Sequence, residues 1–498
     1  MQSLKKEITV HKFIYLLLGT ILLVAFFLRV YRINSLLGFY FDQGRDALVI
    51  WDLIKFHKFF LIGPTTGLAG IFRGPYYYYL IAPFYFLGQG DPVFPSIFLS
   101  FTTVCAILLG YHLGAKTQSM VTGIVFAILS SFSFYIVIAS RWLSNPTPML
   151  LLSLILVFAM FKVIEGKNWG WPVIGFVSGL SLFNFGSSGE LFYLPAIFVF
   201  LIWQWKNRPN VKNLILTIIL FCVTFAPLIL FDLKHEHILL NNILKTFGQE
   251  SSFTLPSIAL FELRNHFYIG LFPKLLFHSI GFRENIFLVV LLLSFILFLP
   301  KLVKNTKVKI LLLLLMSPLL GLYFYQGNDK VLYDYYMTGY FLIFLLLISV
   351  ILGNLWKYKL GQVFVIMFLS LFLINNFNPT KFVLTNPSDQ PGAINYINQK
   401  QVIDWIYTDA KGQEFNVDIY VPPVIPYAYD YLFTWYGPKM FGYAPKKENI
   451  KLLYTLYEQD PPHPERLDAW LDRQKGIGKV LEKYTSGGIT VERRLRLK

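Results

Sequence analysis

The residues best suited to chemistry lie just after the first long apolar run, in the segment Gly38 to Ala47. Asp42, Arg45 and Asp46 are spaced i, i+3 and i+4, which places them on one face of a helix beginning near Asp42. A carboxylate in such a cluster can accept a proton from an attacking hydroxyl group, and an arginine can orient it. The same spacing also fits a structural role, in which Asp42 caps an interfacial helix that holds an internal ion pair.

The composition identifies a membrane protein rather than a soluble one. Of 498 residues, 55% are hydrophobic and only 14% are charged, which leaves too little polar surface to cover a water-soluble fold. The 44 basic and 28 acidic residues give a net charge of +16, but the excess lies in short loops between apolar runs, so it indicates topology and not nucleic-acid binding. Cys105 and Cys222 lie inside apolar runs, which argues against disulfide or thiolate-metal chemistry.

About eleven apolar stretches qualify, or nearly qualify, as membrane spans. The first follows Lys5, Lys6 and Lys12 and is interpreted as a retained signal anchor. The predicted spans are Phe13 to Leu28, Pro92 to Leu113, Val121 to Ala139, Pro148 to Ile164, Trp171 to Phe185, Leu191 to Trp205, Leu214 to Leu230, Ile286 to Leu299, Ile310 to Tyr325, Met337 to Leu352 and Val363 to Ile374. The stretch Pro75 to Gly88, with Tyr76 to Tyr79 reaching headgroups, and the amphipathic stretch Pro256 to Phe277 are predicted to lie along the membrane interface.

Loop charges then predict the topology. With these spans, nearly all loop lysines fall on the side of the N-terminus, which is therefore predicted to be cytoplasmic in a multi-pass plasma (inner) membrane protein. The loop residues on that side are Lys116, Lys167, Lys206, Arg208, Lys212, Lys301, Lys304, Lys307, Lys309, Lys357 and Lys359. Nearly every acidic loop residue falls on the opposite, extracytoplasmic side. The loop that carries Asp42 is therefore predicted to be extracytoplasmic.

The composition changes after the last span, so we predict two domains, 1–376 in the membrane and 377–498 as a small soluble α/β domain. In the second, Gly392 to Ala410 reads as a helix, Asn416 to Val421 as a strand and Val480 to Leu495 as a hairpin turning at Ser486 to Gly488. An odd number of spans places this domain outside the cytoplasm. The fold class is thus an α-helical polytopic membrane protein with a C-terminal extracytoplasmic α/β domain.

Three further extracytoplasmic loops carry polar and aromatic residues. They are 140–148, 231–236 and 328–336, and each has a structural explanation: a snorkelling arginine, a helix-end polar cluster and an interfacial aromatic belt. Together they offer cations and aromatics at one membrane surface, which suits an amphipathic phosphate ester. We predict that Arg141, Lys234 and His235 bind the phosphate. Predicted to line the substrate pocket are Tyr76, Tyr77, Asn145, Tyr333, Asp334 and Tyr336.

With these features the chain resembles the GT-C superfamily of integral-membrane glycosyltransferases, in particular the branch of protein O-mannosyltransferases and aminoarabinose lipid A transferases. The resemblance covers roughly Phe13 to Tyr340, and its most specific element is a first span followed by a loop with Asp42 and, three residues on, Arg45. It implies transfer of a sugar from a polyprenyl-phosphate donor, outside the cytoplasm and with inversion. It also implies that Asp42 is the general base, and that Arg45 orients it.

The chain departs from that pattern at two positions, since Gln43 stands where Glu is frequent and Asn145 where Asp is frequent. Asp46 is a candidate replacement for one lost carboxylate. The chain has no metal-ligand spacing motif, so no cofactor is predicted and the need for a divalent metal stays open. The acceptor is left open among protein, lipid and envelope glycan. Tyr427 to Trp435 is predicted to form an aromatic platform that presents it.

Two other function classes remain open from the residues alone. A transporter or flippase of lipid-linked sugars would also have many spans and a cationic vestibule, but such proteins usually carry ionisable residues within spans and internal repeats. A non-catalytic scaffold would bind a partner through its soluble domain. Neither sugar identity nor oligomeric state follows from the sequence.

Overall fold

The computed structural model describes residues 9–66, 70–249, 256–326, 330–386, 390, 392–422 and 425–497. The helices of the membrane part are α1 Lys12–Val30, α2 Ile33–Leu36, α3 Phe41–Phe56, α4 Tyr76–Leu87, α5 Val93–Thr117, α6 Met120–Phe132, α7 Phe134–Arg141, α8 Met149–Ile164, α9 Gly170–Leu180, α10 Tyr193–Trp203, α11 Val211–Val223, α12 Ala226–Lys234, α13 Ile238–Gln249, α14 Ile258–Leu271, α15 Phe282–Leu302, α16 Thr306–Gly321, α17 Thr338–Leu355 and α18 Lys359–Thr385. Those of the C-terminal part are α19 Tyr396–Ala410, α20 Tyr427–Phe441 and α21 Pro464–Lys475.

Each of the eleven predicted spans coincides with one of these helices or with a bent pair. Among the described residues, five helices are long and apolar enough to cross a membrane, or seven when each bent pair counts as one span. The pairs α6–α7 and α11–α12 bend by 62° and 49°. At the first bend the freed N–H of Phe134 donates to Oδ1 of Asn376 at 2.8 Å, so a side chain of α18 satisfies this backbone donor. The predicted polytopic helical fold is confirmed.

The helix α4 is too short to span a bilayer, as predicted, because 12 residues rise only about 18 Å. The prediction that its tyrosines reach headgroups is wrong for two of them. Tyr77 and Tyr78 are 1% and 3% exposed and pack in the core of the protein. The aromatic run therefore contributes to packing against α3 rather than to an interfacial belt.

The C-terminal part forms a four-stranded sheet of β1 Asn416–Tyr420, β2 Leu452–Glu458, β3 Gly478–Ser486 and β4 Ile489–Arg496, in the order β1-β2-β4-β3. The strands β1 and β2 are parallel, whereas β4 is antiparallel to β2 and β3. The predicted helix, first strand and hairpin are confirmed. The preceding membrane helix α18 continues to Thr385, so the domain boundary predicted after residue 376 falls inside a helix.

The C-terminal part docks tightly on the loop end of the helical bundle. Tyr431 donates its hydroxyl proton to the carbonyl of Gly90 at 2.5 Å, and Trp435 Nε1 donates to Gln89 at 2.6 Å. The prediction that Tyr427 to Trp435 forms an acceptor platform is wrong for most of this run, because Tyr429, Tyr431 and Trp435 are buried. The hydroxyl of Tyr429 donates to Glu458 within the domain, whereas Tyr431 and Trp435 lie in the interface with α3 and the loop before α5. Their apolar rings are better placed in that interface than in water.

Candidate active site

The helix α3 places the predicted catalytic cluster at its first turns. It begins after an extended Tyr40, whose N–H donates to Oε1 of Gln43 at 3.1 Å, and it ends at a left-handed His57. Gln43 also donates from Nε2 to the carbonyl of Leu143 at 3.1 Å, which ties the start of the helix to the loop after α7. Asp42 thereby lies in the first turn, where the helix dipole favours a negative charge.

The three charged side chains of the cluster are in direct contact. Nη1 of Arg45 lies 2.8 Å from Oδ1 of Asp42, and its Nη2 lies 2.7 Å from Oδ1 of Asp46. The side chain of Asp42 is 57% exposed, whereas that of Asp46 is 7% exposed. Burial raises the pKa of Asp46 to about 6, although Arg45 and a hydrogen bond from Tyr78 pull it downward. The sequence cluster therefore separates into an accessible carboxylate and a buried one that anchors the arginine.

Asp42 and Arg45 open into a cavity of about 880 Å³. Loops and helix starts supply its polar lining: Asp42, Arg45, Thr65, Thr66, Arg73, Ser144, Asn145, Ser187, Ser188, Tyr325, Tyr335 and Tyr336, with Asp232 and His237. Helices α10, α12 and α13 and the segments beside them supply most of its apolar lining: Leu182, Phe183, Leu191, Leu194, Phe225, Leu228, Ile229, Leu233, Leu239, Leu240 and Ile243. A cavity with these two linings fits a ligand with a charged head and a hydrocarbon tail.

Of the predicted site residues, Asp42, Arg45, Asn145 and Tyr336 line this cavity. The other predicted site residues do not line it. Asp46 lies behind Arg45. Tyr77 is buried, and the hydroxyl of Tyr76 donates to the carbonyl of Val223 at 2.8 Å.

Arg141 was predicted to bind phosphate but instead caps a helix. Its Nη1 donates to the carbonyls of Leu28, Arg29 and Tyr31 at 3.0, 2.9 and 3.1 Å, at the C-terminal end of α1. The last carbonyls of a helix have no partners within the helix, and a buried guanidinium satisfies several of them at once. This contact turns Arg141 away from the cavity.

Lys234 and His235 also lie outside the cavity. Both side chains are exposed, and the ring of His235 stacks on Phe231 at 4.0 Å, with Nδ1 2.7 Å from the Phe231 carbonyl oxygen. The residues of this loop that reach the cavity are Asp232 and His237. The helix α12 ends between them, and the direction of a side chain just past a helix end cannot be read from spacing.

Asp232 holds His237 in place. Its Oδ1 accepts the N–H groups of Leu239 and Leu240 at 2.8 and 3.1 Å, so it caps the start of α13. Its Oδ2 lies 3.2 Å from Nδ1 of His237. With Nδ1 engaged in this way, the imidazole has its other nitrogen, Nε2, available to a ligand in the cavity.

Arg73 is the cavity cation that the sequence reasoning did not select. It lies in a loop held by backbone contacts, in which Gly63 donates to the Arg73 carbonyl at 2.7 Å and Gly74 to that of Phe183 at 2.7 Å. A methyl group on Gly63 would overlap the carbonyl of Gly74, so the close approach requires glycine. The sequence does carry one indication of this loop, the Gly-Pro pairs at its two ends. Such pairs mark turns, and two turns bring the ends of the loop close together.

Burial lowers the pKa of Arg73, and the charge of Glu190 opposes that effect. The guanidinium donates to the carbonyl of Gly186 and lies within electrostatic range of Tyr335 and Tyr336. Arginine side chains stay protonated in proteins, so Arg73 carries a positive charge into the cavity.

The aromatic loop before α17 divides its residues between two cavities. Tyr335 and Tyr336 line the large cavity, with rings 4.9 Å apart, while Tyr333 is 48% exposed and stacks on Tyr335 from outside. Asp334 accepts a hydrogen bond from Tyr135 and does not line the large cavity. Trp142 and Tyr335, 5.9 Å apart, also line a second, largely apolar cavity of about 300 Å³. Asn328 and Asp329 of this loop lie outside the described residues.

The described part of the chain contains no group of three or more His, Cys, Asp or Glu side chains placed to hold a metal ion. The carboxylates at the cavity are held instead by Arg45 and by the backbone of α13.

The arrangement of helices and the C-terminal sheet define the fold as that of the GT-C glycosyltransferases, which confirms the resemblance at the level of the fold. The structure of ArnT from Cupriavidus metallidurans bound to undecaprenyl phosphate matches with a TM-score of 0.62 and 8% identity over 97% of this chain and 98% of that one. Its apo form matches with a TM-score of 0.61 and 9% identity, over the same shares of the two chains. An oligosaccharyltransferase from Archaeoglobus fulgidus matches with a TM-score of 0.49 and 13% identity, over 94% of this chain and 72% of that one. No protein-family model and no curated protein matches the sequence.

Proposed function

We propose that this protein is a membrane glycosyltransferase that moves a sugar from a polyprenyl-phosphate carrier to an extracytoplasmic acceptor, with inversion and with Asp42 as the general base. The observation that carries the proposal is that Asp42 and Arg73 share one cavity whose remaining walls are largely apolar. A polyprenyl phosphate has the matching parts, an anionic head and a long hydrocarbon tail. The fold supports the same reading, since ArnT of this fold has been seen with undecaprenyl phosphate.

In the proposed reaction, Asp42 takes the proton of the acceptor hydroxyl or amine group while that group bonds to the anomeric carbon. The bond between this carbon and the phosphate oxygen breaks on the opposite face, and its electron pair leaves with the phosphate. Attack from the opposite face inverts the anomeric centre. The exposed position of Asp42 suits a base that must meet a second substrate.

The leaving phosphate gains negative charge, and fixed cations and hydrogen-bond donors stabilise such charge most effectively. We assign this role to Arg73, with the hydroxyl groups of Tyr335 and Tyr336 and the imidazole of His237 as further donors. Arg45 already pairs with two carboxylates, so its role is to orient Asp42. The apolar residues of α12 and α13 would hold the first isoprene units of the carrier, and the rest of the tail would lie in lipid.

The membrane orientation is part of the proposal. It rests on the lysine-rich loops of one side and the acidic loops of the other, with the N-terminus in the cytoplasm and the C-terminal domain outside. A reporter that is active only in the cytoplasm, fused after Lys498, should be silent. Activity of that fusion would refute the orientation.

The test of function is sugar transfer by purified protein from a radiolabelled polyprenyl-phosphate sugar to an envelope extract. Asp42→Asn should lower kcat by about a hundredfold to ten-thousandfold while binding of polyprenyl phosphate persists. Asp52→Asn is the matched control, because Asp52 lies on the same helix but is exposed and pairs with Lys58 at 2.9 Å. Near-normal turnover by Asp42→Asn would remove Asp42 from the mechanism. Translocation of the donor without transfer would favour a flippase.

A further inference from the structure

The C-terminal domain touches the helix that carries Asp42 along a continuous stripe. The ring of Phe41, the residue before Asp42, lies 4.9 Å from that of Tyr427 on α20. Farther along, Tyr431 packs edge-on against Trp51 at 6.3 Å. The helices α3 and α20 are thus in contact from the first turn of α3 to its third.

The two helices approach each other very closely at Gly44. A methyl group on its Cα would overlap the backbone nitrogen of Ala428 and the carbonyl carbon of Tyr427. Backbone atoms cannot move aside as a side chain can, so any larger residue at position 44 must push α20 away from α3. Gly44 lies two residues after Asp42 and one before Arg45.

The start of α3 is fixed to the same domain by hydrogen bonds. The N–H of Tyr396 donates to the carbonyl of Leu37 at 3.1 Å, Gln399 Nε2 donates to that of Phe39 at 2.8 Å, and the hydroxyl of Tyr40 donates to that of Ile394 at 2.9 Å. The segment that leads into Asp42 therefore takes its position from the C-terminal domain as much as from the membrane helices.

We infer that the C-terminal domain is a positioning element of the active site and that Gly44 is the residue through which it sets the place of Asp42. The inference rests on the proposed role of Asp42 as base. In this inference, the buried face of α20 holds α3 in the position that places Asp42 correctly in the active site. Displacement of a catalytic group by about 1 Å can cost about a hundredfold in rate, so a displaced α3 should show in turnover before it shows in substrate binding.

The experiment compares Gly44→Ala with Gly437→Ala in the full-length protein. Gly437 lies on the same helix α20, but there the added methyl group would meet the hydroxyl of Tyr407 inside the C-terminal domain. Gly437→Ala therefore perturbs the domain without perturbing its contact with α3. Readouts are kcat and KM for the polyprenyl-phosphate sugar, the melting temperature, and hydrogen exchange of the α3 backbone amides.

We expect Gly44→Ala to lower kcat by about tenfold to a hundredfold with little change in KM, and to speed exchange in the first turns of α3. Gly437→Ala should lower the melting temperature while kcat stays within about twofold of the native value. Equal kcat losses in the two variants, or native kcat and exchange in Gly44→Ala, would overturn the inference.

A second pair covers the case in which Gly44→Ala does not fold. Tyr427→Leu removes the ring that packs on Phe41, and Tyr436→Leu removes a ring of the same helix whose hydroxyl donates to Asp404 at 2.9 Å within the domain. Only the first should lower kcat and loosen α3, and equal effects would overturn the inference. If the native protein transfers no sugar, the proposed function fails on its own, and hydrogen exchange alone then decides whether the domain orders α3.

Discussion

Tyr78 donates its hydroxyl proton to Oδ1 of Asp46 at 2.8 Å, the same oxygen that receives Nε and Nη2 of Arg45. The buried carboxylate is thus held between a tyrosine on α4 and an arginine on its own helix. Because Arg45 also contacts Asp42, protonation of Asp46 should weaken one of the contacts that hold the arginine beside Asp42. The charge state of a residue that never meets substrate can therefore control the proposed base.

This relationship predicts a pH effect. Burial raises the pKa of Asp46 to about 6 while the hydrogen bond from Tyr78 lowers it, so activity should fall as the pH drops below about 6. In Tyr78→Phe the pKa of Asp46 rises further, and the acid limb of the kcat profile should move up by about one pH unit. Tyr79→Phe is the control, because Tyr79 bonds the Phe60 carbonyl instead. If the acid limb of the kcat profile has the same midpoint in Tyr78→Phe as in the native protein, ionisation of Asp46 does not control the loss of activity at low pH.

A second prediction concerns the phosphate site. Arg73→Gln should weaken binding of polyprenyl phosphate by about tenfold to a hundredfold, since charged hydrogen bonds contribute about 1.5 to 3 kcal/mol. Titration with the unsugared carrier, followed by native mass spectrometry, measures this directly. Lys234→Gln removes an exposed cation outside the cavity and should leave the affinity almost unchanged. A larger loss with Lys234→Gln would restore the assignment made from the sequence.

The contrast between Arg73 and Lys234 shows which features the sequence can predict. Membrane helices can be predicted from apolar runs, because whether a run enters the membrane depends mainly on the run's own composition and length. All eleven predicted spans coincide with helices. The cluster of Asp42 and Arg45 was predictable because its residues are neighbours on one helix. The residues that we propose as ligands of the phosphate were not, since they come from separate loops whose directions depend on contacts such as that of Gly63 with Gly74.

Arg141 illustrates the same limit from the other side. An arginine in a loop predicted to be extracytoplasmic has the right charge for a phosphate, but the C-terminal carbonyls of α1 are near it and receive its hydrogen bonds. The C-terminal domain is a further example. Its aromatic run was predicted to be an exposed platform. The sequence of the run alone does not show that the surface of α3 around Gly44 packs against it.

A third prediction concerns Glu458 in the C-terminal domain. Its side chain is buried with a hydrogen bond from Tyr429 at 2.7 Å, and burial raises its pKa from 4.5 to about 7. Since the folded pKa lies above the unfolded one, the stability contributed by the protonated form is fully present below about pH 4.5 and is lost as pH rises through 7. The native protein should therefore be less stable at pH 8 than at pH 5 by up to about 3 kcal/mol from this group.

Glu458→Gln should remove most of that difference, measured as the change in melting temperature between pH 5 and pH 8. Glu465→Gln is the control, because the side chain of Glu465 is 68% exposed. A native protein whose melting temperature rises across this range, with no change on Glu458→Gln, would show that Glu458 is ionised throughout.

The last prediction concerns Gln43, which stands where the pattern that this chain resembles often has Glu. Here the side chain is 3% exposed and uses both ends: Oε1 accepts the Tyr40 N–H, and Nε2 donates to the Leu143 carbonyl. Gln43→Glu keeps the acceptor but replaces the donor by a carboxylate oxygen that faces a carbonyl oxygen without a proton between them. The variant should lose about 1 to 3 kcal/mol of stability and part of its kcat, because the loop after α7 is released from the start of α3.

Gln89→Glu provides the control, because the side chain of Gln89 is exposed and the contact with Trp435 is made by its backbone carbonyl. Melting temperature and transfer rate distinguish the two interpretations of position 43. If a carboxylate at position 43 acted on substrate, Gln43→Glu would retain or raise kcat, and the hydrogen bond to Leu143 would be unimportant. If Gln43 is a bridge between α3 and the loop after α7, as its two contacts indicate, both quantities fall together and Gln89→Glu leaves them unchanged.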